Sequence, residues 1–375
     1  MKYFDAFCGV GGFHQALDSL GHTCIGACDI DKECREVYKL NYNIEPHCDI
    51  TKITEIPDFD IFCGGFPCVA FSNAGKKLAR KDPRGKLFDH IIRIAKLKNP
   101  SYLFLENVKH IRKIDNGKVF EYICQEIDNA GYFLQTFDLS PHQLGIPQNR
   151  ERVIFACVRK DISFKPIHLN IVKQKDINIF EKCVQAKYYL SNEEEEILEV
   201  WDSMIKQFEV GENCSPTILA NEFHSRYTPE QFAELPAWKR EYIEKNKRIY
   251  EKYKKQWDAW YDEHIDILTK KEIFGKLEWQ TGKIKKDDSI FNYFIQFRQS
   301  GIRVKKADYF PTLVAIVQTP IYGKERRRIT PRECARLQSF PDTFKLHKID
   351  RIAYKQLGNA VNVEVVKTVI SQILN

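Results

Sequence analysis

The sequence lacks the features that would place it in a membrane, in an oxidising compartment or around a structural metal ion. Its 12 cysteines are scattered singly, with no Cys-x-x-Cys pair, so they indicate neither a zinc site nor a disulfide framework. No apolar run approaches the ~20 residues of a membrane-spanning helix. The N-terminus enters an apolar stretch without a basic leader, so we expect no signal peptide. These absences predict a cytoplasmic protein with no membrane partner and no bound metal.

The bulk composition is that of a globular protein. A chain of 375 residues is long enough for two domains and a sizeable core. Hydrophobic residues make up 43% of the chain and charged residues 29%. The net charge of +7 suits a polyanionic partner without requiring one, because charge balance affects association more than fold.

Short apolar runs alternate with helical patterns up to about residue 160. We predict strands at 3–7, 23–27, 60–63, 102–106, 133–139 and 152–158, and helices at 13–20, 32–41, 87–98 and 119–130. Strand–helix alternation at this spacing predicts an α/β fold with a doubly wound, mostly parallel sheet.

The composition changes between residues 161 and 296. All five tryptophans lie between Trp201 and Trp279, glycine becomes scarce, and a charge-rich helical pattern covers 236–261. Ser191 and Glu194 form a capping-box pattern that predicts a helix start. We interpret the aromatics as this segment's own core and the segment as a smaller inserted domain, with residues 297–375 returning to the first domain.

A stiff turn follows the predicted strand at 60–63. Gly64 and Gly65 free the backbone, and Pro67 fixes φ directly before Cys68, which presents the thiol at a strand end. Open α/β sheets place their chemistry at strand ends, so Cys68 is a candidate nucleophile if its pKa is lowered. A lone cysteine is more often a small apolar residue in a turn, so the surrounding motifs decide between the two interpretations.

Glycines join the first predicted strand to the first helix. Gly9, Gly11 and Gly12 let a ligand approach the backbone amides and the helix N-terminus. Asp29, after the second strand, is placed to accept hydrogen bonds from ribose hydroxyls. Asp49 ends a candidate third strand and is placed to accept from an adenine amino group. A helix cap or a surface charge explains each acid alone, whereas together they describe a nucleoside pocket.

Charged side chains also accompany two later strands. Glu106 follows an apolar run and is a candidate proton donor. Arg150 and Arg152 stand at alternate positions, so both would point to one side of an extended segment and clamp a phosphate or a carbonyl oxygen. Surface salt bridging is the competing interpretation of that pair.

The order of these motifs resembles the DNA (cytosine-5) methyltransferase family. The resemblance covers about residues 1–160 and 297–375, and the segment between them is variable in that family. The matching positions are residues 5–13, Asp29, Asp49, residues 65–68, 82–87 and 106–108, Gln148, Arg150, Arg152, and residues 328–341 and 356–361.

The resemblance implies a Rossmann-like methyltransferase fold and sequence-specific methyl transfer from S-adenosylmethionine to C5 of a cytosine flipped out of duplex DNA. It implies that Cys68 attacks C6, that Glu106 hydrogen-bonds N3 and the exocyclic amine, and that Arg152 holds the base through O2. The further catalytic positions it implies are Pro67, Asn107 and Arg150. The cofactor positions it implies are Phe7, Gly9, Gly11, Gly12, Asp29, Ile30, Asp49, Ile50, Leu87 and Asn359.

The resemblance also implies how DNA is held. The basic loop after Cys68 would close over the DNA backbone. The DNA-binding positions in it are Ser72, Lys76, Lys77, Arg80 and Arg84. Residues 161–296 would form the target-recognition domain. The family further implies a monomer in a bacterial restriction–modification system, associated with the nucleoid, with a cognate endonuclease as a genetic rather than a physical partner.

Two departures from the family pattern and two rival functions accompany this prediction. Val69 stands where the family usually has Gln, and Asp29 where it commonly has Glu.

An RNA (tRNA) cytosine-5 methyltransferase is disfavoured because RNA enzymes typically place the attacking Cys in the later motif, which here carries Glu106. It is disfavoured also because the tRNA-acting relative has a small insert. An inactive DNA-binding regulator is disfavoured because binding alone requires neither Cys68 nor Glu106.

Overall fold

In the computed structural model, the described residues are 1–67, 87–174, 177–214, 217–222, 227–314 and 318–374. The chain divides into two compact units, Met1–Phe180 with Pro311–Val317 and Pro331–Asn375, and Glu181–Phe310 with Gln318–Thr330. The predicted boundaries at 160 and 297 differ from this division. Residues 161–180 belong to the first unit, where the Gln135 side chain exchanges hydrogen bonds of 2.6 and 3.0 Å with the backbone of Ile167.

Strands of the two units form separate sheets. In chain order they are β1 (Lys2–Ala6), β2 (Thr23–Cys28), β3 (Ile61–Gly65), β4 (Tyr102–Val108), β5 (Tyr132–Leu139), β6 (Arg152–Arg159), β7 (Ile218–Leu219), β8 (Lys276–Gln280), β9 (Phe294–Arg298), β10 (Gly301–Lys305), β11 (Ile321–Tyr322) and β12 (Arg327–Arg328). The first sheet has the order β2-β1-β3-β4-β6-β5 and the second β12-β11-β9-β10-β8-β7.

The helices follow the amphipathic patterns of the sequence. They are α1 (Gly12–Ser19), α2 (Lys32–Tyr42), α3 (Leu87–Lys98), α4 (Lys118–Asn129), α5 (Asn192–Ile205), α6 (Pro229–Glu234), α7 (Ala237–Lys252), α8 (Lys254–Lys270), α9 (Pro331–Leu337), α10 (Asp350–Asn359) and α11 (Val363–Leu374). The predicted capping box opens α5, where Ser191 Oγ accepts from the Glu194 amide. The helical pattern at 236–261 divides at Tyr253 into α7 and α8. Within the described ranges, each helix is too short or too polar to cross a bilayer.

The first sheet has the predicted class and is buried on both faces. Strands β1 to β4 pair in parallel, whereas β6 runs antiparallel to β4 and β5. Phe4 and Phe62 belong to a core with α3 and α4, and Tyr3 and Ile61, which alternate with them, are equally buried on the opposite face. Apolar strands covered on both sides are expected where helices flank a mostly parallel sheet.

The second unit has its own aromatic core. Trp201, Trp257, Trp260 and Trp279 are buried within it, which confirms the interpretation of these side chains as core residues. Trp238 is different, because it is 55% exposed. Trp201 Nε1 and Trp260 Nε1 donate to the carbonyls of Phe274 and Val200 at 2.8 and 2.9 Å, so burial leaves neither indole N–H unsatisfied.

Candidate functional site

The parallel strands β1, β3 and β4 end at one edge of the first sheet, and the glycine turn follows β1 at that edge. Gly9 and Gly11 have φ values of +51° and +95°. A Cβ on Gly11 would lie 2.3 Å from the Tyr42 ring, and one on Gly12 would lie 2.4 Å from the Val361 carbonyl oxygen. Gly9 and Gly11 therefore need glycine for their positive φ, and Gly11 and Gly12 need it because neighbouring atoms leave no space for a Cβ.

Asp29 lies beside this turn. Its Oδ2 accepts the Gly9 amide and its Oδ1 the Asp31 amide, both at 2.8 Å. Burial raises the pKa of the Asp29 carboxyl, while the two backbone donors act in the opposite direction. The next side chain, Ile30, is 81% exposed and offers an apolar surface at the same strand end. The structure thus brings Gly9 and Asp29 together with Ile30 at this strand end, and their role in a nucleoside pocket stays a prediction.

Asp49 reaches the same edge by a different route from the one predicted. Its candidate third strand is absent from the described residues, and a single bridge joins His47 to Cys28. Asp49 caps a 3-10 turn at Ile50–Lys52, where its Oδ1 accepts from the amide and hydroxyl of Thr51 at 2.9 and 2.7 Å. These hydrogen bonds hold the pKa of the Asp49 carboxyl below its usual value. Ile50 is 3% exposed and belongs to the core.

The remaining predicted cofactor positions differ in exposure. Phe7 has a φ of +52° and packs partly against the core. Leu87 begins α3 and is half-buried, whereas Asn359 ends α10 and is exposed. The binding role of each of these positions stays a prediction.

Glu106 and Arg152 form an ion pair at the end of β4. Arg152 Nε lies 2.8 Å from Glu106 Oε1, and the two side chains are 13% and 11% exposed. The antiparallel register pairs Glu106 with Ile154, so Arg152 on the same face of β6 reaches back to the carboxylate. The result is a carboxylate of fixed orientation beside the turn that leads to Cys68.

That turn is held by Asn107. Its Nδ2 donates to the Phe66 carbonyl and its Oδ1 accepts the Val108 amide, both at 2.9 Å. A Cβ on Gly65 would lie 3.4 Å from Glu106 Oε2. The backbone that enters Pro67 therefore runs directly beside Glu106. Cys68 and the five predicted DNA-binding positions, Ser72, Lys76, Lys77, Arg80 and Arg84, lie outside the described residues.

Arg150 and Arg152 do not form a joint clamp, in contrast to the alternate-position interpretation. Arg150 precedes the strand and is 2% exposed. Its Nη1 donates to the Leu313 carbonyl at 3.0 Å, and its Nη2 donates to the carbonyls of Gly358 and Ala360 at 2.9 Å. Burial lowers the pKa of the Arg150 guanidinium to about 9. Arg150 thus holds the end of α10, whereas Arg152 faces Glu106.

Sequence reasoning missed a buried polar network beneath the glycine turn. Asp5 is fully buried, and its Oδ2 accepts from the Tyr38 hydroxyl at 3.4 Å. The Tyr38 hydroxyl also lies 2.7 Å from Nδ1 of His14. Burial raises the pKa of Asp5 to about 8 and lowers that of His14 to about 4. The sequence offered one signal for this network, because Asp5 is a charged residue within the apolar pattern that predicts β1.

Comparison with known proteins identifies relatives along the whole chain. The family model described as C-5 cytosine-specific DNA methylase matches residues 1–375. The Type II methyltransferase M.HhaI of Haemophilus parahaemolyticus is 28% identical, over 98% of this chain and 92% of its own length. M.BanI of Aneurinibacillus aneurinilyticus is 30% identical, over 100% and 95%. The solved methyltransferase EhMeth of Entamoeba histolytica shares the fold, with a TM-score of 0.58, 18% identity and coverage of 100% and 98%.

Proposed function

The chain belongs to the C-5 cytosine-specific DNA methylase family, and we propose that it is a sequence-specific DNA (cytosine-5) methyltransferase of a bacterial restriction–modification system. The observation that supports this most directly is the Glu106–Arg152 ion pair. It lies beside the turn that precedes Cys68 in the sequence, which Asn107 holds through a hydrogen bond to the Phe66 carbonyl. Attack on a pyrimidine ring requires a nucleophile, a carboxyl group and a guanidinium, and the last two lie together at one strand edge.

The nucleophile in the proposed reaction is the Cys68 thiolate. It attacks C6 of cytosine, and the electron pair displaced toward C5 takes up the methyl group. Loss of the C5 proton and elimination of the thiolate then restore the aromatic ring and free Cys68. Because C6 is inaccessible within a stacked duplex, the cytosine has to be flipped out of the helix.

Glu106 and Arg152 bind the flipped base in this proposal. Glu106 donates a proton to N3 and accepts a hydrogen bond from the exocyclic amine, which stabilises the negative charge that attack places on the ring. Arg152 contacts O2 and keeps the Glu106 carboxylate oriented through the 2.8 Å ion pair. Pro67 and Asn107 position the turn. Arg150, whose guanidinium is occupied by three backbone carbonyls, acts as a positioning residue.

The residues at the carboxyl edge fit S-adenosylmethionine. Each Asp29 oxygen accepts one backbone N–H and retains a lone pair for a ribose hydroxyl. The exposed Ile30 side chain offers an apolar surface to an adenine ring, and Asp49, two residues after the His47–Cys28 bridge, would accept from the adenine amine. The left-handed Gly9 and Gly11 let the ligand approach the backbone. S-adenosylmethionine would supply the methyl group from its sulfonium and leave as the thioether S-adenosylhomocysteine.

Double-stranded DNA is the proposed partner. The second unit would act as the target-recognition domain, and the basic loop with Ser72, Lys76, Lys77, Arg80 and Arg84 would close over the backbone. We propose a monomer in the cytoplasm, associated with the nucleoid, whose cognate endonuclease is linked genetically.

The test is transfer of labelled methyl from S-adenosylmethionine to mixed genomic DNA, followed by bisulfite sequencing. We expect C5 methylation within one fixed short sequence, lost in Cys68→Ser and retained in Cys48→Ser, a control at an exposed cysteine. Transfer to tRNA in place of duplex DNA would establish the RNA alternative. DNA binding without transfer to either nucleic acid would establish the inactive regulator.

A further inference from the structure

The sheet of the second unit has one apolar face, and its other face carries charged and polar side chains beside the buried Phe294. Side chains of the apolar face lie in the aromatic core: Leu277, Trp279, Ile295, Ile302 and Val304. The alternate positions point the other way, because successive side chains of a strand occupy opposite faces. On β8, β9 and β10 these include Glu278, Gln296, Arg298 and Arg303. The register places Arg303 opposite both Glu278 and Gln296, so these polar side chains are neighbours.

Glu278 organises this charged face. Its side chain is 8% exposed, and its Oε2 accepts from Arg303 Nε at 2.5 Å. Its Oε1 accepts from Ser300 Oγ at 2.6 Å. Arg298 Nη1 lies 3.7 Å from the same carboxylate, and both arginine side chains are 29% exposed. One nearly buried carboxylate therefore holds two guanidinium groups and the tip of the β9–β10 hairpin.

Donors on both arginines remain without acceptors. Arg298 Nη1 is buried and has no hydrogen-bond partner. Among the described residues, the one hydrogen bond of the Arg303 guanidinium comes from Nε, which leaves both of its terminal nitrogens free to donate. A guanidinium carries five N–H donors in a planar fork, and a fork that is fixed at Nε presents the remaining donors in one direction. Arg303 therefore presents preoriented donors within a cluster of net positive charge, to which the buried Arg298 Nη1 adds no exposed donor.

We propose that Arg303 and Arg298 read guanine in the target sequence and that Glu278 is the positioning residue that orients them. The inference rests on the proposed function, because it takes duplex DNA as the substrate. Guanine presents O6 and N7 side by side in the major groove, which the two terminal nitrogens of an arginine match. An oriented guanidinium can also pair bidentately with a phosphate, but a phosphate contact carries no sequence information, so the two roles differ in their effect on sequence preference.

The test measures methyl transfer by the whole protein to a pool of duplexes that carry every single-base change in the wild-type target sequence. We expect Arg303→Lys to reduce discrimination at one guanine position roughly 5- to 150-fold while the other positions keep theirs. Glu278→Gln is expected to weaken discrimination at the same position, although it leaves both arginines in place. If Arg303→Lys is unstable, Arg298→Lys provides a second, independent test, because it should also reduce discrimination at a guanine position.

Arg248→Lys is the matched control, because Arg248 is ion-paired with Glu212 in the same unit and is 59% exposed. It should leave the sequence preference unchanged. Base recognition would be overturned if transfer fell equally over all sequences and the slope of log affinity against log salt concentration fell by about one, as expected for the loss of one phosphate contact. Reduced thermal stability with an unchanged preference would likewise overturn it in favour of a structural ion pair. If the wild type methylated no duplex, the proposed function would fall as well.

Discussion

The carbonyl oxygen of Val361 occupies the space that a side chain on Gly12 would need, 2.4 Å from the position of its Cβ. Gly12 begins α1 and Val361 precedes α11, so segments far apart in the sequence pack backbone to backbone beside the glycine turn.

A methyl group at Gly12 should therefore destabilise the first unit. We expect Gly12→Ala to lower the free energy of unfolding by about 1–3 kcal/mol, as overpacking does in other cores. Gly26→Ala is the control, because Gly26, like Gly12, lacks a positive φ, and its added Cβ would meet only ring atoms of Phe4, at 3.2 Å, and no backbone atom within 4 Å. Urea titrations of both variants measure the difference, and equal losses would contradict a role for the Val361 contact.

Replacing Glu106 should impair the chemistry more than the fold. We expect Glu106→Gln to lower kcat about 10²- to 10³-fold, because a preorganised group that faces the developing charge is lost. Its neighbour Glu151, 57% exposed and paired with Lys109, supplies the control Glu151→Gln, which should leave kcat unchanged. Single-turnover methyl transfer with saturating duplex separates this effect from binding, and a change in KM alone would argue against the assigned role.

Asp5 should make the protein less stable as the pH rises. Its pKa is about 8 in the folded protein and the usual 3.8 when unfolded, so the folded state holds the extra proton between these values. Stability from this group is present below pH 3.8 and is lost as the pH rises toward 8. We expect the unfolding free energy of Asp5→Asn to rise relative to wild type by about 1.4 kcal/mol per pH unit in that window.

Urea titrations at several pH values check this dependence. Asp342→Asn is the control with the opposite sign, because Arg336 lowers the pKa of the exposed Asp342 carboxyl. The stabilisation from Asp342 is lost as the pH falls, and as an exposed pair it should be worth no more than about 1 kcal/mol. A pH-independent difference between Asp5→Asn and wild type would contradict the prediction.

Arg150 and Arg152 should respond differently to the same conservative change. Arg150→Lys loses the fork that joins three carbonyls, and we expect it to reduce unfolding free energy by about 2–4 kcal/mol, from hydrogen bonds of a charged donor. Arg152→Lys should lower kcat with a smaller loss of stability. Thermal unfolding and methyl transfer below the lowered Tm distinguish the two, and a loss of kcat alone in Arg150→Lys would place that residue at the substrate.

Local patterns were sufficient for much of the fold. The strands of the first sheet and helices α1 to α4 begin and end close to their predicted positions, because period and end signals are encoded within each segment. The capping box at Ser191 was predictable for the same reason. The third strand before Asp49 was wrong, since its backbone makes only a single bridge with Cys28.

The sequence by itself determined the order of the chemical groups along the chain and the strand ends that carry them. Parallel pairing then places Gly9, Asp29 and Glu106 at one sheet edge whatever the details of packing. Only the tertiary structure decided that Arg150 faces backbone carbonyls while Arg152 faces Glu106, and that Glu278 gathers Arg298 and Arg303. Those outcomes depend on partners distant in the sequence, and spacing carries no information about which distant group a side chain will meet.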